Sequence, residues 1–216
     1  MRSYLFPCFF LLLITGKALA QKQFTEGTIV YDVSIEAKAG KAMERYYGIY
    51  TINIKDKEMR QELKLNKGYD DVLVYNGNDN SVYSLKITPD KKYAIQLNNA
   101  DLAKKNRVYE NYDLDDVAGD STINGLPGER AKITYKDGSK GTVIYTRKWL
   151  LTNPRIYERF PGIKHLPLAF TYTNADGTTL SFTLVKILDA PIENSLFRIP
   201  ADYKIMTNAE YKEMNR

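Results

Sequence analysis

The side chains that could do chemistry are few among the 216 residues of this chain. The chain has one histidine, His165, and one cysteine, Cys8, which lies in an apolar run near the start. Nucleophilic catalysis needs a base beside the nucleophile, and a triad around His165 would have to recruit its serine and carboxylate from distant positions. No G-x-S-x-G segment marks such a serine. Because a lone histidine beside Lys164 is typical of a surface loop, we predict no catalytic residues and a protein that is not an enzyme.

A metal site has equally little support in the sequence. The acidic run of Asp113, Asp115, Asp116 and Asp120 does not match the EF-hand spacing, which needs glycine at the sixth and glutamate at the twelfth position. Zinc would have to rely on one histidine and on carboxylates, because no thiolate follows Cys8. We therefore predict no metal and no cofactor, and we interpret the acidic run as a solvated turn.

The first 20 residues have the features of an export signal. A basic residue precedes an apolar run over residues 5–14 that is too short to cross a bilayer, and Ala18-Leu19-Ala20 forms an A-x-A cleavage site. A lipid-anchored precursor would need cysteine at the first mature position, where this chain has Gln21. We predict a signal peptide over residues 1–20 and a single domain over residues 21–216, periplasmic, soluble after cleavage and without a lipid anchor.

The charge distribution disfavours a nucleic-acid partner. The formal net charge is +5, and removal of residues 1–20 lowers the 31 basic residues to 29 against 26 acidic ones, a net charge of +3. These basic residues are spread along the chain, whereas a nucleic-acid interface needs them concentrated on one face. Because no cysteine remains after the signal, the fold has no disulfide and its stability depends on burial.

Alternating apolar and polar residues predict a mainly β fold with a minor α-helical part. At the centre of this pattern, within residues 166–188, two alternating runs flank Asn174-Ala175-Asp176-Gly177. The Asp-Gly pair favours a hairpin turn, because its backbone accepts positive φ. Six shorter runs over residues 27–97, separated by turn residues, predict an antiparallel meander. A sheet of this length must curl, or close over helices, to bury its bulky side chains.

Three short helices are predicted beside the sheet. One begins after Asn98 and covers residues 99–107, where the alternation stops and helix-forming residues follow. A second covers residues 153–160, with a proline in its first turn. A third begins at Thr207, which forms a capping box with Glu210. The first two helices interrupt the sheet, and we expect them to act as a lid.

Tyrosine is frequent, with 17 residues in the chain. The preference of tyrosine for strands explains most of them. A functional interpretation is a concave sheet lined by aromatic and aliphatic side chains, because such a surface can hold a lipid-like ligand. The candidate cavity lining is Ile29, Tyr31, Val33, Ile52, Ile54, Leu168, Phe170, Tyr172, Leu180, Phe182 and Leu184.

Several short motifs occur in a characteristic order along residues 24–206. They are Gly27-x-Ile29-x-Tyr31, Ile123-Asn124-Gly125, Tyr145-Thr146 with Trp149, Leu166-Pro167-Leu168, and Ser195-Leu196-Phe197-x-Ile199-Pro200-x-x-Tyr203. This series resembles a family of exported bacterial proteins known as a domain of unknown function, and it is similar to the wider periplasmic lipoprotein-carrier superfamily of the Lol type. The resemblance implies an unclosed antiparallel β-barrel wrapped around a few short helices, with an apolar cavity for acyl chains and no catalytic residues. Relatives often carry a cysteine shortly after the Asn-Gly, where this chain has Glu129-Arg130-Ala131.

The sequence leaves three hypotheses of function open. The first is a non-enzymatic periplasmic binding or carrier protein for a hydrophobic ligand, a lipid or the acyl chain of a lipoprotein. The second is a structural or interaction module of the envelope with a filled core, and the third and least favoured is a hydrolase centred on His165. A cavity of several hundred Å3, the usual size of a ligand site, would favour the first. The expected partners are a hydrophobic small molecule or lipid, and beyond it lipoprotein or outer-membrane components, with no nucleic acid. The expected state is a monomer.

Overall fold

β-strands make up most of the structure, a computed structural model that describes residues 21–39, 42–152, 159–160 and 163–215. The strands in these ranges are β1 (Lys22–Phe24), β2 (Glu26–Ala39), β3 (Ala42–Lys55), β4 (Glu58–Leu65), β5 (Tyr69–Asn76), β6 (Ser81–Ile87), β7 (Lys92–Leu97), β8 (Tyr112–Ile123), β9 (Leu126–Tyr135), β10 (Lys140–Leu151), β11 (His165–Thr173), β12 (Thr179–Leu188) and β13 (Lys204–Thr207). The helices are α1 (Asn99–Asn106) and α2 (Asn208–Met214), with 3-10 turns at Asn66–Gly68, Arg107–Tyr109 and Asn194–Phe197.

The strands form one curved sheet. Neighbours follow the order β13-β7-β6-β5-β4-β3-β2-β12-β11-β10-β9-β8, and β1 pairs with β10 off this path. Within the described ranges, β13 and β8 do not pair with each other, so the sheet is an unclosed barrel. The pairings are antiparallel except for two short ones, β1 with β10 and β13 with β7, which are parallel. The prediction of a mainly β fold with a curved antiparallel sheet is therefore confirmed.

The hairpin at the centre of the sequence pattern forms as predicted. β11 pairs with β12 so that Phe170 lies opposite Phe182. The turn closes through Gly177, whose φ of +85° lies in the left-handed region that glycine adopts without steric penalty. The Asp176 carboxylate accepts a hydrogen bond from the Thr178 amide at 2.8 Å, as aspartate commonly does in turns. This register places both phenylalanine rings on the inward face of the sheet.

The inward face of the sheet carries the main hydrophobic core. Along β2, Tyr31 is buried while its neighbour Asp32 is exposed, as the two-residue period of a strand requires. Met59 of β4 and Ile133 of β9 belong to the same buried cluster, although five strands separate β4 from β9 in the sheet. Residues so far apart in the sheet share one core because the sheet curves around it.

The acidic run at residues 113–116, predicted as a turn, is part of strand β8. Its four residues are exposed, and Asp115 lies opposite Lys132 of β9, a favourable pairing of opposite charges. β8 is the last strand in the sheet order, and charges on an edge strand oppose pairing with another chain. The turn prediction is wrong because an edge strand tolerates charges on both faces, so a charged run alone does not indicate a turn.

Two of the three predicted helices are confirmed, together with their caps. The Asn98 side chain accepts a hydrogen bond from the Asp101 amide at 2.9 Å, and the Asp101 carboxylate accepts one from the Asn98 amide at 3.1 Å. Thr207 and Glu210 form the same reciprocal arrangement at the start of α2. Such a capping box satisfies amides that have no partner inside the helix.

The remaining predicted helix and the predicted signal peptide lie outside the described residues. Of residues 153–160, the structure describes Arg159 and Phe160, and residues 1–20 fall before the first described position. Among the described residues, no helix is both long and apolar enough to cross a membrane.

Candidate functional site

A cavity of about 140 Å3 lies between the inward face of the sheet and the segments that cover it. Strands β3, β4, β5, β11 and β12 form its inner wall. Most of this wall is apolar, and the apolar and aromatic side chains on it are Tyr50, Leu63, Leu73, Phe170, Leu180 and Phe182. The curvature of the sheet brings β5 and β11 to the same cavity, although four strands lie between them in the sheet order.

The outer wall is formed by two separate segments. The first is α1 with the turn that follows it, residues 99–109, which we call the cavity cover. Its cavity-lining side chains are Lys105, Asn106 and Tyr109. The second segment supplies Arg159 and Phe160. Both segments lie on the inward face, because Tyr109 and Phe160 pack against residues of the main core cluster.

Aromatic rings fix the shape of the inner wall. The rings of Phe170 and Phe182 stack with centroids 4.3 Å apart and an angle of 14°, which follows directly from their opposed positions in the hairpin. The Phe160 ring meets Phe170 edge-on at 5.3 Å. Contacts of this kind add about 0.5–1.5 kcal/mol per pair beyond the burial of area. These ring contacts therefore stabilise the inner wall of the cavity.

Arg159 brings a cation into this aromatic surrounding. Its guanidinium carbon lies 5.5 Å from the ring centroid of Tyr172 and 5.9 Å from that of Phe182, within the range of a cation–π interaction. Its Nε donates a hydrogen bond to the Tyr109 hydroxyl at 3.2 Å, which connects it to the cavity cover. The Tyr135 hydroxyl donates to the Arg159 carbonyl. Arg159 is half-buried, so its charge is partly removed from water.

A group of tyrosines lies behind Arg159. The Tyr109 ring contacts the rings of Tyr135 and Tyr172, each at a centroid distance of 5.6 Å. Burial raises the pKa of both Tyr135 and Tyr172 above the ordinary value of tyrosine. These hydroxyls therefore stay protonated at neutral pH and contribute no negative charge beside the guanidinium.

The predicted lining residues divide into two groups. Phe170, Leu180 and Phe182 border the cavity. The other eight are buried in the main core cluster: Ile29, Tyr31, Val33, Ile52, Ile54, Leu168, Tyr172 and Leu184. As a ligand-binding set, the eleven residues stay a prediction. Sequence reasoning missed Leu63 and Leu73, although their alternation in β4 and β5 indicates an inward face, and it missed Arg159, for which the alternation offers no signal.

His165 is not among the residues that line the cavity. Its Nδ1 lies 3.2 Å from the Nε2 of Gln21, and its ring stacks on Tyr145 at 5.8 Å. Burial, followed by the nearby charge of Arg147, lowers the pKa of the imidazole below 6.5. These contacts to an amide and an aromatic ring differ from those of a catalytic triad, in which the imidazole bonds a serine and a carboxylate.

No family model matches the chain, and no curated protein matches it either. Solved structures do match. The MucA/MucB complex of Pseudomonas aeruginosa aligns at 15% identity and a TM-score of 0.44, over 84% of this chain and 59% of that chain. The lipoprotein LppX of Mycobacterium tuberculosis aligns at 9% identity and a TM-score of 0.41, over 78% of this chain and 89% of that chain. A LolA superfamily protein from Nitrosomonas europaea aligns at 10% identity and a TM-score of 0.37, over 83% of this chain and 92% of that chain.

The last of these structures is a LolA superfamily protein. The order of the sequence motifs resembles the same Lol-type superfamily. The alignment covers 59% of the matched chain in the MucA/MucB structure, so this chain corresponds to only a part of that protein. At these identities and TM-scores the alignments carry no weight for function, which has to follow from the geometry of the cavity.

Proposed function

We propose that the protein is a non-enzymatic binding or carrier protein whose ligand places an apolar chain in the cavity. The observation that supports this is the apolar and aromatic inner wall, in which Leu63, Leu180 and the stacked pair of Phe170 and Phe182 face an unfilled space. Ligand sites are usually concave and mostly apolar, with a few polar groups that orient the ligand. The cavity has this composition, since Arg159 is set among aromatic rings.

The size of the cavity limits what it holds without rearrangement. Its volume of about 140 Å3 is below the roughly 300–1,000 Å3 of typical ligand sites. It is close to the engineered cavity of about 150 Å3 that binds benzene. A short apolar segment therefore fits as the structure stands, whereas a long acyl chain requires the cavity cover to move outward.

The cavity cover is suited to such a movement. Helix α1 has no buried residue, and its contact with the main core is made through Leu102, which is partly buried. An isolated helix of this length is not stable in water by itself, so its order depends on these few contacts. In the setting that we propose, the periplasm, the ligand is a lipid or the acyl chain of a lipoprotein, and the donor or acceptor is a lipoprotein or an outer-membrane component.

The test begins with the purified protein. Organic extraction followed by mass spectrometry should find a co-purified lipid, and a fluorescent fatty acid should bind and be displaced by unlabelled lipid. Leu180→Trp should fill part of the cavity and weaken binding about tenfold, which corresponds to about 1.4 kcal/mol. Leu114→Trp is the matched control, because Leu114 is exposed on β8 and outside the cavity. An extract without lipid, together with no fluorescent binding, would contradict the proposal.

A second candidate is an interaction module of the envelope, and one observation favours it. The outer face of β3 exposes three large apolar side chains, Met43, Tyr47 and Ile49, at 52%, 53% and 41% of their surface. A row of this kind on a sheet face is typical of a surface that contacts a partner. One measurement distinguishes the two candidate functions. If benzene shifts the NMR signals of the Phe170 and Phe182 rings, the cavity is accessible to ligands, and if it does not, the module is favoured.

A further inference from the structure

The side chains that line the cavity carry more positive than negative charge. Among the described residues the charged ones are Asp71, Lys105 and Arg159. Asp71 is neutralised by Lys86, whose Nζ donates to its Oδ1 at 2.6 Å. Neither Lys105 nor Arg159 forms an ion pair with any carboxylate in the described part of the chain. The cavity therefore carries an excess of positive charge on its outer wall.

The position of Arg159 makes this charge effective. The guanidinium is half-buried over the rings of Tyr172 and Phe182, and the one hydrogen bond that its side chain makes among the described residues is the Nε contact with the Tyr109 hydroxyl. A guanidinium carries five N–H donors, so its terminal nitrogens are available to another acceptor. Its attraction for an anion is stronger here than in bulk water, because the effective dielectric constant is lower near the protein.

A polar atom without a partner lies in the same wall. The side-chain Oδ1 of Asn106 is buried and has no hydrogen-bond partner. Leaving a buried polar group unsatisfied costs about 1–3 kcal/mol, so each such group calls for an explanation, of which a bound water or a ligand group is one. Oxygen and nitrogen of an asparagine amide are exchanged by a rotation of 180° about the last side-chain bond, which would place N–H donors at this point. Asn106 would then add donors to the cavity that Arg159 also lines.

We propose that the ligand is a single-chain amphiphile with an oxyanion head, a carboxylate or a phosphate. The head binds Arg159, with Asn106 and Lys105 beside it, while the chain lies along Phe170, Leu180 and Phe182. This inference rests on the proposed function, because it assigns a polar end to the ligand whose apolar end occupies the cavity. Planar guanidinium groups bind carboxylate and phosphate through two parallel hydrogen bonds, which a neutral alcohol cannot reproduce.

The experiment keeps the chain constant and changes the head. Octanoate, octyl phosphate, 1-octanol and octyltrimethylammonium are titrated into the purified protein by calorimetry at low ionic strength and neutral pH. We expect octanoate or octyl phosphate to bind about tenfold more tightly than octanol, the difference between a charge-assisted and a neutral hydrogen bond. The cationic amphiphile should bind most weakly. The ratio of the two anions shows whether the head is a carboxylate or a phosphate.

Variants of Arg159 then separate a binding role from a structural one. Arg159→Gln should lower the ratio of anion to alcohol affinity to about one, and Arg159→Lys should retain part of it because the charge remains. The ratio is insensitive to a general loosening of the cavity, since both ligands have the same chain. Arg107→Gln is the matched control, because Arg107 is an exposed arginine of the cavity cover that does not line the cavity. It should leave the ratio unchanged.

The outcomes distinguish this inference from the proposed function. Equal binding of octanoate, octyl phosphate and octanol, or a preference that persists in Arg159→Gln, would overturn the anion site and leave the apolar binding function standing. Binding of none of the four would overturn both. A preference for anions that disappears in Arg159→Gln, persists in Arg107→Gln and weakens as salt rises to about 0.5 M would support the site, since screening reduces the attraction.

Discussion

Two segments of the described chain carry a short helix beside this curved sheet, and they are attached to it in different ways. The cavity cover, residues 99–109, has no buried residue in its helix. The C-terminal cover, residues 194–214, buries Phe197 in its first turn and Met206 in β13. β13 also pairs with β7 in parallel, so the C-terminal cover is part of the sheet itself. Similar short helices with similar caps therefore have different kinds of support.

The difference indicates which side of the sheet can open. On the C-terminal side, Met206 packs with Tyr93 and Ile95, and Tyr211 of α2 meets Tyr93 edge-on at 5.7 Å. On the cavity side, Leu102 and Tyr109 are partly buried and the space beneath them is unfilled. Local opening costs least where few apolar contacts are lost. A ligand that enters the cavity should therefore displace the cavity cover and leave the C-terminal cover in place.

The largest expected effect is that of removing the anchor of the C-terminal cover. Phe197→Ala should lower the free energy of unfolding by about 3–5 kcal/mol, because it deletes a buried aromatic side chain and leaves a void. Leu102→Ala in the cavity cover should cost about 1 kcal/mol or less, since that side chain is partly buried. Urea unfolding followed by circular dichroism measures both. Equal losses in the two variants would show that the covers are equally well anchored.

The caps of the two helices allow a second comparison with a smaller effect. Asn98→Ala and Thr207→Ala each remove an N-cap, which is worth about 1 kcal/mol, or about a fivefold change in local opening. Native-state hydrogen exchange should show α1 amides exchanging faster than β13 amides in the unmodified protein. Asn98→Ala should accelerate α1, and Thr207→Ala should accelerate α2.

The exchange of β13 is the internal control for both cap variants. Its amides pair with β7, so neither change should affect them much. If Asn98→Ala accelerated β13 as strongly as α1, the cavity cover would not open independently, and the proposed entry of the ligand under it would be contradicted.

Much of this arrangement could be predicted from sequence because it depends on neighbours in the chain. The capping box of Thr207 and Glu210, the cap at Asn98 and the turn at Gly177 are local, and each involves residues at most three positions apart. The two-residue period likewise separated the two faces of β2 and β3, but it left undecided which face points inward. These signals need no knowledge of the tertiary structure.

The cavity itself could not be predicted in this way. Phe182 and Leu184 share one face of β12 with the same alternation, yet Phe182 borders the cavity and Leu184 is enclosed by the core. The segments that share the cavity with Phe182, residues 105–109 and 159–160, are distant from it in sequence. The position of Arg159 in the cavity could not be predicted for the same reason. Its aromatic neighbours Tyr172 and Phe182 belong to the hairpin of β11 and β12, which is not adjacent to it in sequence.

The smallest expected effect concerns Asp101, which connects the two covers. Its Oδ1 accepts a hydrogen bond from Asn208 of α2 at 2.6 Å and lies 3.9 Å from Lys212, while its Oδ2 caps α1. The hydrogen bond from Asn208 is the largest influence on the pKa of Asp101 and lowers it. Burial, the next largest, opposes it, but the hydrogen bond from the Asn98 amide and the charge of Lys212 add to the lowering, so that the pKa lies below its ordinary value of 3.8.

The pH dependence follows from the sign of this shift. Because the folded state binds the proton less tightly than the unfolded state, stability rises with pH in the window between the two pKa values. The connection should be complete above pH 3.8 and lost as pH falls through the lower, folded-state pKa. Carbon-detected NMR of the carboxyl groups should find Asp101 titrating below 3.8, and α1 exchange, corrected for its intrinsic pH dependence, should accelerate in the same window.

Two variants sharpen the pH experiment. Asp101→Asn should abolish the acceleration of α1, because the titrating group is gone. Glu210→Gln is the control, since the pKa of Glu210 is lowered chiefly by the backbone amide of Thr207, within its own cover. Its removal should change α2 and leave the response of α1 intact. Titration of Asp101 at or above 3.8 would mean that the contact with Asn208 does not form in solution, and the cavity cover would then be held by Leu102 and Tyr109 with even less support than the comparison assigns to it.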